Sequence, residues 1–214
     1  MKPGEDAVRR VLDWLGVSWS EGQLETLQRY AAWLVTEGRA LGGIGPDESA
    51  RLWDRHLADS LVFGVGFSGV GSVLDVGSGV GLPGIPLAIC FPDARVTLLD
   101  RRGRRTDALR RVAAILAIDV TIETADISDH FGPRYERIVL RASLPVEEAA
   151  RRLRPLLVRG GELVVGLGRG EHPATLTAAQ ALVVDPPEGS RVITVRTPAG
   201  ILDSPAWLLR MTAE

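Results

Sequence analysis

The run Leu74-Asp75-Val76-Gly77-Ser78-Gly79-Val80-Gly81-Leu82-Pro83-Gly84 constrains this chain more than any other stretch. Residues 72–76 read as a short buried strand and the apolar run 85–90 as a helix, so the glycines fall in a strand-to-helix turn. Glycine lets the backbone take positive φ and approach a ligand closely. The following helix offers unpaired amides and the positive end of its dipole. Pro83 suits the first helical turn, where its missing N–H costs nothing. A nucleotide-like ligand would sit at such a turn; a tight turn without a ligand is the plainer alternative.

The turn opens an alternation of strands and helices. Strands are predicted at 72–76, 95–99, 120–124, 136–141 and 162–167, with helices near 84–90, 104–117 and 145–157. That order implies a parallel sheet covered on both faces. Gly160-Gly161 is predicted to make the turn before the fifth strand. After a helix near 173–181 and a turn at Pro186-Pro187-Glu188-Gly189 come strands 191–197 and 206–211. Their short connection makes them antiparallel neighbours, so one edge of the sheet is mixed. Upstream, helices are predicted at 5–15, at 20–37 with Ser20 and Gln23 as a capping box, and at 51–62, with a glycine-rich loop at 38–45. The reading is α/β: an N-terminal helical cap (1–65) on a sheet-containing unit (66–214), together one continuous globular unit.

Composition narrows the classes. No apolar run has the length of a membrane span and the N-terminus lacks a secretory pattern, so a cytoplasmic protein with no membrane partner is expected. Cys90 is the only cysteine and three histidines are scattered, so no metal is expected and Cys90 reads as core. His130 and His172 fall in polar stretches and are expected to be solvated. The net charge of −2 argues against strong non-specific nucleic-acid binding. Arginine clusters at Arg101, Arg102, Arg104, Arg105, Arg110 and Arg111, and at Arg151, Arg152 and Arg154, could supply a local footprint or be solvated faces paired with acids.

Two parsings of the turn compete. Gly79-x-Gly81-x-x-Gly84 satisfies the dinucleotide fingerprint, whereas Asp75 followed by Gly77-x-Gly79-x-Gly81 is the pattern of methyltransferases that use S-adenosyl-L-methionine. That cofactor has no pyrophosphate to cradle but carries an ammonium and a sulfonium, which an acid beside the turn can balance. Asp100, at the end of the second strand, is placed to accept hydrogen bonds from ribose hydroxyls in either parsing. Asp126 and Ile127, after the third strand, stand where groups flanking adenine would lie, although Asp126 could equally cap a short helix. Arg141 ends the fourth strand, where it could hold the cofactor carboxylate, orient an acceptor, or pair with Asp126 or Asp75. His56 and Asp59 share a helix face, with a local ion pair or cap as the plain account and closure over the cofactor as the sharper one.

The combination of Arg55-His56-Leu57-Ala58-Asp59-Ser60, the segment from Asp75 through Gly84-Ile85-Pro86-Leu87-Ala88, Leu98-Leu99-Asp100 and Arg141-Ala142 closely resembles the GidB-type (RsmG) family. These are bacterial methyltransferases that modify N7 of a guanine in 16S ribosomal RNA. The resemblance implies a class I, Rossmann-like methyltransferase with a seven-stranded sheet, S-adenosylmethionine as cofactor, and ribosomal RNA or the small ribosomal subunit as partner. It implies cofactor contacts from Gly77, Leu82, Asp126, Ile127 and Arg141. Members usually carry Asn-Leu-Thr where this chain has Arg39-Ala40-Leu41-Gly42-Gly43-Ile44, and a lysine at the end of the fifth strand, for which Arg169 is the nearest substitute. Those departures keep open a methyltransferase with another acceptor, or a cofactor-binding module without catalysis. No catalytic base is assigned.

Overall fold

The computed structural model describes residues 4–45, 47–67, 69–130, 132–141 and 143–214; Ala142 and the N-terminal residues 1–3 lie outside them. The strands are β1 (Ser72–Val76), β2 (Arg95–Asp100), β3 (Val120–Thr124), β4 (Tyr135–Arg141), β5 (Leu157–Arg169), β6 (Ser190–Arg196) and β7 (Ala206–Ala213). They form a seven-stranded sheet in the order β3-β2-β1-β4-β5-β7-β6. The first five run parallel, and β7 lies antiparallel between β5 and β6, which gives the expected mixed edge. The α-helices are α1 (Glu5–Leu15), α2 (Glu21–Trp33), α3 (Asp59–Leu61), α4 (Gly84–Cys90), α5 (Gly103–Leu116), α6 (Val146–Leu153) and α7 (Leu176–Val184).

Period-two alternation builds two cores. Val73, Val96, Leu98, Val139 and Val164 face α4, α5 and the N-terminal helices. Leu74, Leu99, Ile138, Leu140 and Leu163 face α6 and α7. The N-terminal helices are knitted into the first core by Val8, Leu12, Leu27 and Leu34. Ser20 and Gln23 form the expected capping box, and Gln23 Nε2 also donates to the Ile89 carbonyl (3.0 Å) at the end of α4. Arg137, buried in β4, donates to the carbonyls of Phe63 (3.2 Å), Val65 (2.8 Å) and Gly66 (3.0 Å) and pairs with Glu162. Those bonds fix where the helical segment meets the sheet. Cys90 is buried as expected, and burial pushes its thiol up to about 12.

Three local expectations change. Gly160-Gly161 is not a turn before β5 but lies inside it, where the β4–β5 register shifts. A Cβ on Gly161 would sit 3.0 Å from the Tyr135 carbonyl oxygen, so only glycine lets the strand pass. The helix expected at 51–62 is instead a 3₁₀ turn (Ser49–Arg51), a π turn (Trp53–Ala58), α3 and a second 3₁₀ turn (Val62–Gly64). A π turn (Leu34–Gly38) also ends α2; such turns widen the helix and often mark functional sites. His130 is buried rather than solvated, with Nδ1 3.2 Å from Glu123 and its ring stacked near Tyr135. No helix among the described residues is long and apolar enough to cross a membrane.

Candidate active site

The sheet order reverses between β1 and β4, and ligands of such sheets bind at the carboxyl ends of the strands beside the reversal. A cavity of about 700 Å³ opens there. Gly77 takes φ 72°, and its N–H and that of Ser78 donate to the Leu99 carbonyl (2.8 and 3.0 Å), clamping the turn onto β2. A Cβ on Gly77 would lie 2.6 Å from the Ser143 Cβ; Ser143 itself donates to the Val76 carbonyl (2.8 Å). Gly81, at φ 99°, is packed against Ile85 and Leu109. Gly79 is different: it takes φ 61°, but an added Cβ would meet nothing nearer than 3.7 Å. Gly77 and Gly81 therefore shape the turn, and Gly79 presents bare backbone to the cavity.

The acids divide by position. Asp100 lies on the cavity wall, its Oδ2 accepting from the Gly79 N–H and its Oδ1 from the Arg102 N–H, both at 2.9 Å, with Arg105 at 3.5 Å. Each oxygen retains a lone pair for a further donor. Asp126 also lines the cavity, and it does cap the following 3₁₀ turn: its Oδ1 accepts from the Ser128 N–H (3.0 Å) and hydroxyl (2.8 Å). Those bonds hold its carboxyl below the usual range. Ile127, Leu82, Val76, Leu99 and Leu144 supply apolar wall. Asp75 does not line the cavity. It is fully buried beneath the turn, where Oδ2 accepts from the Gly84 N–H (2.9 Å) at the start of α4 and Oδ1 has no partner among the described residues. Burial pushes its carboxyl up to about 7.

Arg141 stands between this cavity and a smaller one of about 200 Å³. It forms no ion pair with Asp126 or Asp75. Its guanidinium instead donates to Ser60 Oγ (3.2 Å), to the carbonyls of His56 and Arg55 (3.4 Å each) and to His56 Nδ1 (3.1 Å). Burial, then the Arg141 charge, lowers the His56 pKa, so the ring is neutral. With Nδ1 accepting from Arg141, the His56 proton sits on Nε2 and is donated to Glu48 Oε2 (3.0 Å). His56 and Asp59 thus do not pair with each other. Asp59 reaches Arg169 (3.4 Å), which is held more closely by Asp54 (2.8 Å). Arg169 is committed to the helical segment and lines only the smaller cavity.

The arginine cluster is likewise divided. Arg105, Arg110 and Arg111 pair with Asp100, Asp107 and Glu37; at the rim of the larger cavity Arg101 is exposed and pairs with Asp126 (3.7 Å), and Arg102 is exposed beside it. Sequence reasoning missed Gly42 and Gly43, which wall the cavity from the helical side; a Cβ on Gly43 would lie 2.2 Å from Val80 Cγ1. The adjacent glycines were the available signal. It also missed Glu48, Ser143 and Trp207, which carry no local motif.

The family model described as rRNA small subunit methyltransferase G (GidB) matches residues 23–195. The ribosomal RNA small subunit methyltransferase G of Salinispora tropica is 34% identical over 194 residues, covering 86% of this chain and 79% of that protein. That of Acidothermus cellulolyticus is 36% identical over 189 residues, covering 87% and 82%. Among solved structures, magnesium protoporphyrin IX methyltransferase from Synechocystis, determined with its S-adenosylmethionine bound, superposes with a TM-score of 0.57 at 18% identity, covering 92% of this chain and 99% of that one. That likeness is one of fold. On sequence, this chain belongs to the rRNA small subunit methyltransferase G family.

Proposed function

We propose that this protein transfers a methyl group from S-adenosylmethionine to N7 of a guanine in small-subunit ribosomal RNA. The observation that carries the reading is the larger cavity at the strand-order reversal, combined with family membership. Its residues fit the cofactor. The volume lies within the range of about 300–1,000 Å³ usual for small-molecule sites. Gly79 leaves a cradle that a side chain would narrow, Asp100 keeps acceptor capacity for ribose hydroxyls, and Ile127 with Leu99 gives an apolar slot for adenine. Gly77, Gly81 and Leu82 hold the turn in shape, and Asp126, by capping at Ser128, holds the 3₁₀ turn that carries Ile127. Asp75 acts as a positioning residue: it anchors the first turn of α4 from below.

When bound, S-adenosylmethionine supplies an electrophilic methyl on sulfonium. Guanine N7 bears a lone pair and no proton, so the protein needs no general base, which suits a site whose one nearby histidine is neutral and engaged on both nitrogens. The chain's contribution is alignment and exclusion of water. Arg141, fastened to the helical segment, fixes the boundary between the two cavities. Arg101 and Arg102 at the rim are placed to meet RNA phosphates. The test is incubation with methyl-labelled cofactor and small ribosomal subunits or their naked RNA. Label at a guanine, with strand scission after borohydride and aniline treatment, is the expected result; unlabelled RNA in both forms would refute it.

A further inference from the structure

The smaller cavity has no role in holding the cofactor as placed above, yet it abuts that site through Arg141 and is lined by Glu48, His56, Phe63, Gly166, Gly168 and Trp207 among others. It lies at the carboxyl ends of β4 and β5, on the opposite side of Arg141 from the glycine turn. We infer that this cavity receives the acceptor base flipped out of the RNA, and that Glu48 selects guanine over adenine by accepting from its N1–H and exocyclic amine. The inference rests on the methyltransferase reading and specifies its acceptor half.

Four observations support it. At about 200 Å³ the space is base-sized rather than cofactor-sized. Its walls include two aromatic side chains, and enzymes that act on extruded bases hold them against such surfaces and read their Watson–Crick edge. The Trp207 ring is fixed by donation from Nε1 to the Gly170 carbonyl (2.9 Å) and by the Arg196 guanidinium 5.7 Å from its centroid. Finally, the Glu48 carboxylate is oriented: His56 Nε2 holds Oε2, while no protein donor reaches Oε1 among the described residues. Guanine presents two adjacent donors on that edge, which match a carboxylate, whereas adenine presents the N1 acceptor, which a carboxylate repels. N7 lies across the purine from that edge. Glu48 and Arg141 occupy opposite ends of the His56 relay, so a base read by Glu48 directs N7 toward Arg141 and the larger cavity.

The test compares the parent with Glu48→Gln, which keeps the bond from His56 but offers the base an amide in place of a carboxylate oxygen. Three readouts are taken: S-adenosylhomocysteine affinity by calorimetry, methyl transfer to small-subunit RNA, and binding of guanosine and adenosine to the S-adenosylhomocysteine-saturated protein by ligand-observed NMR. The inference expects unchanged S-adenosylhomocysteine affinity, a fall of at least a hundredfold in kcat/KM on RNA, and guanosine binding that is present in the parent, absent in the variant and stronger than adenosine binding. If the parent methylates RNA and Glu48→Gln does so equally well, the pocket assignment falls while the methyltransferase reading stands. A variant that also loses S-adenosylhomocysteine affinity overturns it too, by placing Glu48 in the cofactor half. If the parent leaves RNA unmodified, the RNA reading fails; guanosine binding that depends on Glu48 then still upholds the pocket, and its absence from the parent overturns it.

Discussion

The two cavities flanking Arg141 are built by different means. The larger takes its shape from backbone at the turn, with positive-φ glycines clamped to Leu99 and an amide of Gly79 held by Asp100, and its walls from side chains on the segments after β1, β2 and β3. The smaller is made of side chains drawn from far apart in sequence, with Glu48 and His56 from the helical segment, Arg141 from β4 and Trp207 from β7. A backbone site tolerates little change in conformation but is indifferent to most side chains. A side-chain site can change its ligand by altering one hydrogen-bonding group.

The comparison breaks most readily at Gly77. Gly77→Val forces a branched residue into φ 72° and into Ser143. Backbone strain costs about 1–3 kcal/mol and overpacking a similar amount, so melting should show a large loss of stability and calorimetry no measurable S-adenosylhomocysteine binding. Retained affinity would mean the cofactor half does not depend on its backbone. Next in size is Arg141→Lys, which keeps the charge but loses the planar fork that serves Ser60, His56 and the helical carbonyls together. Methyl transfer should collapse with only a modest change in cofactor affinity, and stability should fall by about 1–3 kcal/mol. Asp100→Asn leaves one of two amides facing an NH₂ group. Cofactor affinity should weaken by about 1.5–3 kcal/mol, on the order of tenfold to a hundredfold, with guanosine binding unaffected.

The smallest effect sharpens the division within the turn itself. The Asp75 carboxyl is raised from 3.8 to about 7, so its contribution to stability is full below its unfolded pKa and is lost as pH rises through about 7. Asp75→Asn removes that dependence. Relative to the parent, the variant should gain stability between pH 5 and pH 8, read from paired denaturation curves, while S-adenosylhomocysteine affinity changes little because the side chain is not on the cavity wall. A large loss of affinity would return Asp75 to direct contact with the cofactor.

The same contrast governs what was legible in the sequence. Period-two runs and glycine spacing are local, so the order of strands, the mixed edge and the turn at 77–81 could be read directly. Gly160 and Gly161 deceived because a glycine pair signals a bulge and a turn equally, and only the register against β4 decides. The acid ahead of the glycines was visible as a residue but not as a direction: alternation along β1 puts Asp75 under α4, away from the cavity. Arg141 was visible too, yet its partners are carbonyls and a serine some eighty positions earlier, which no pattern of charges discloses. The His56 relay to Glu48 was hidden for the same reason, since π and 3₁₀ turns displace the spacing a regular helix would give.

Which cavity holds the cofactor, and which way the cofactor faces, are both measured by a crystal structure with S-adenosylhomocysteine. The expected result is adenosine between Gly79, Asp100 and Ile127, with the sulfur turned toward Arg141 and the smaller cavity. Adenosine bound in the smaller cavity, or sulfur facing away from Arg141, would contradict this division of cofactor and acceptor halves.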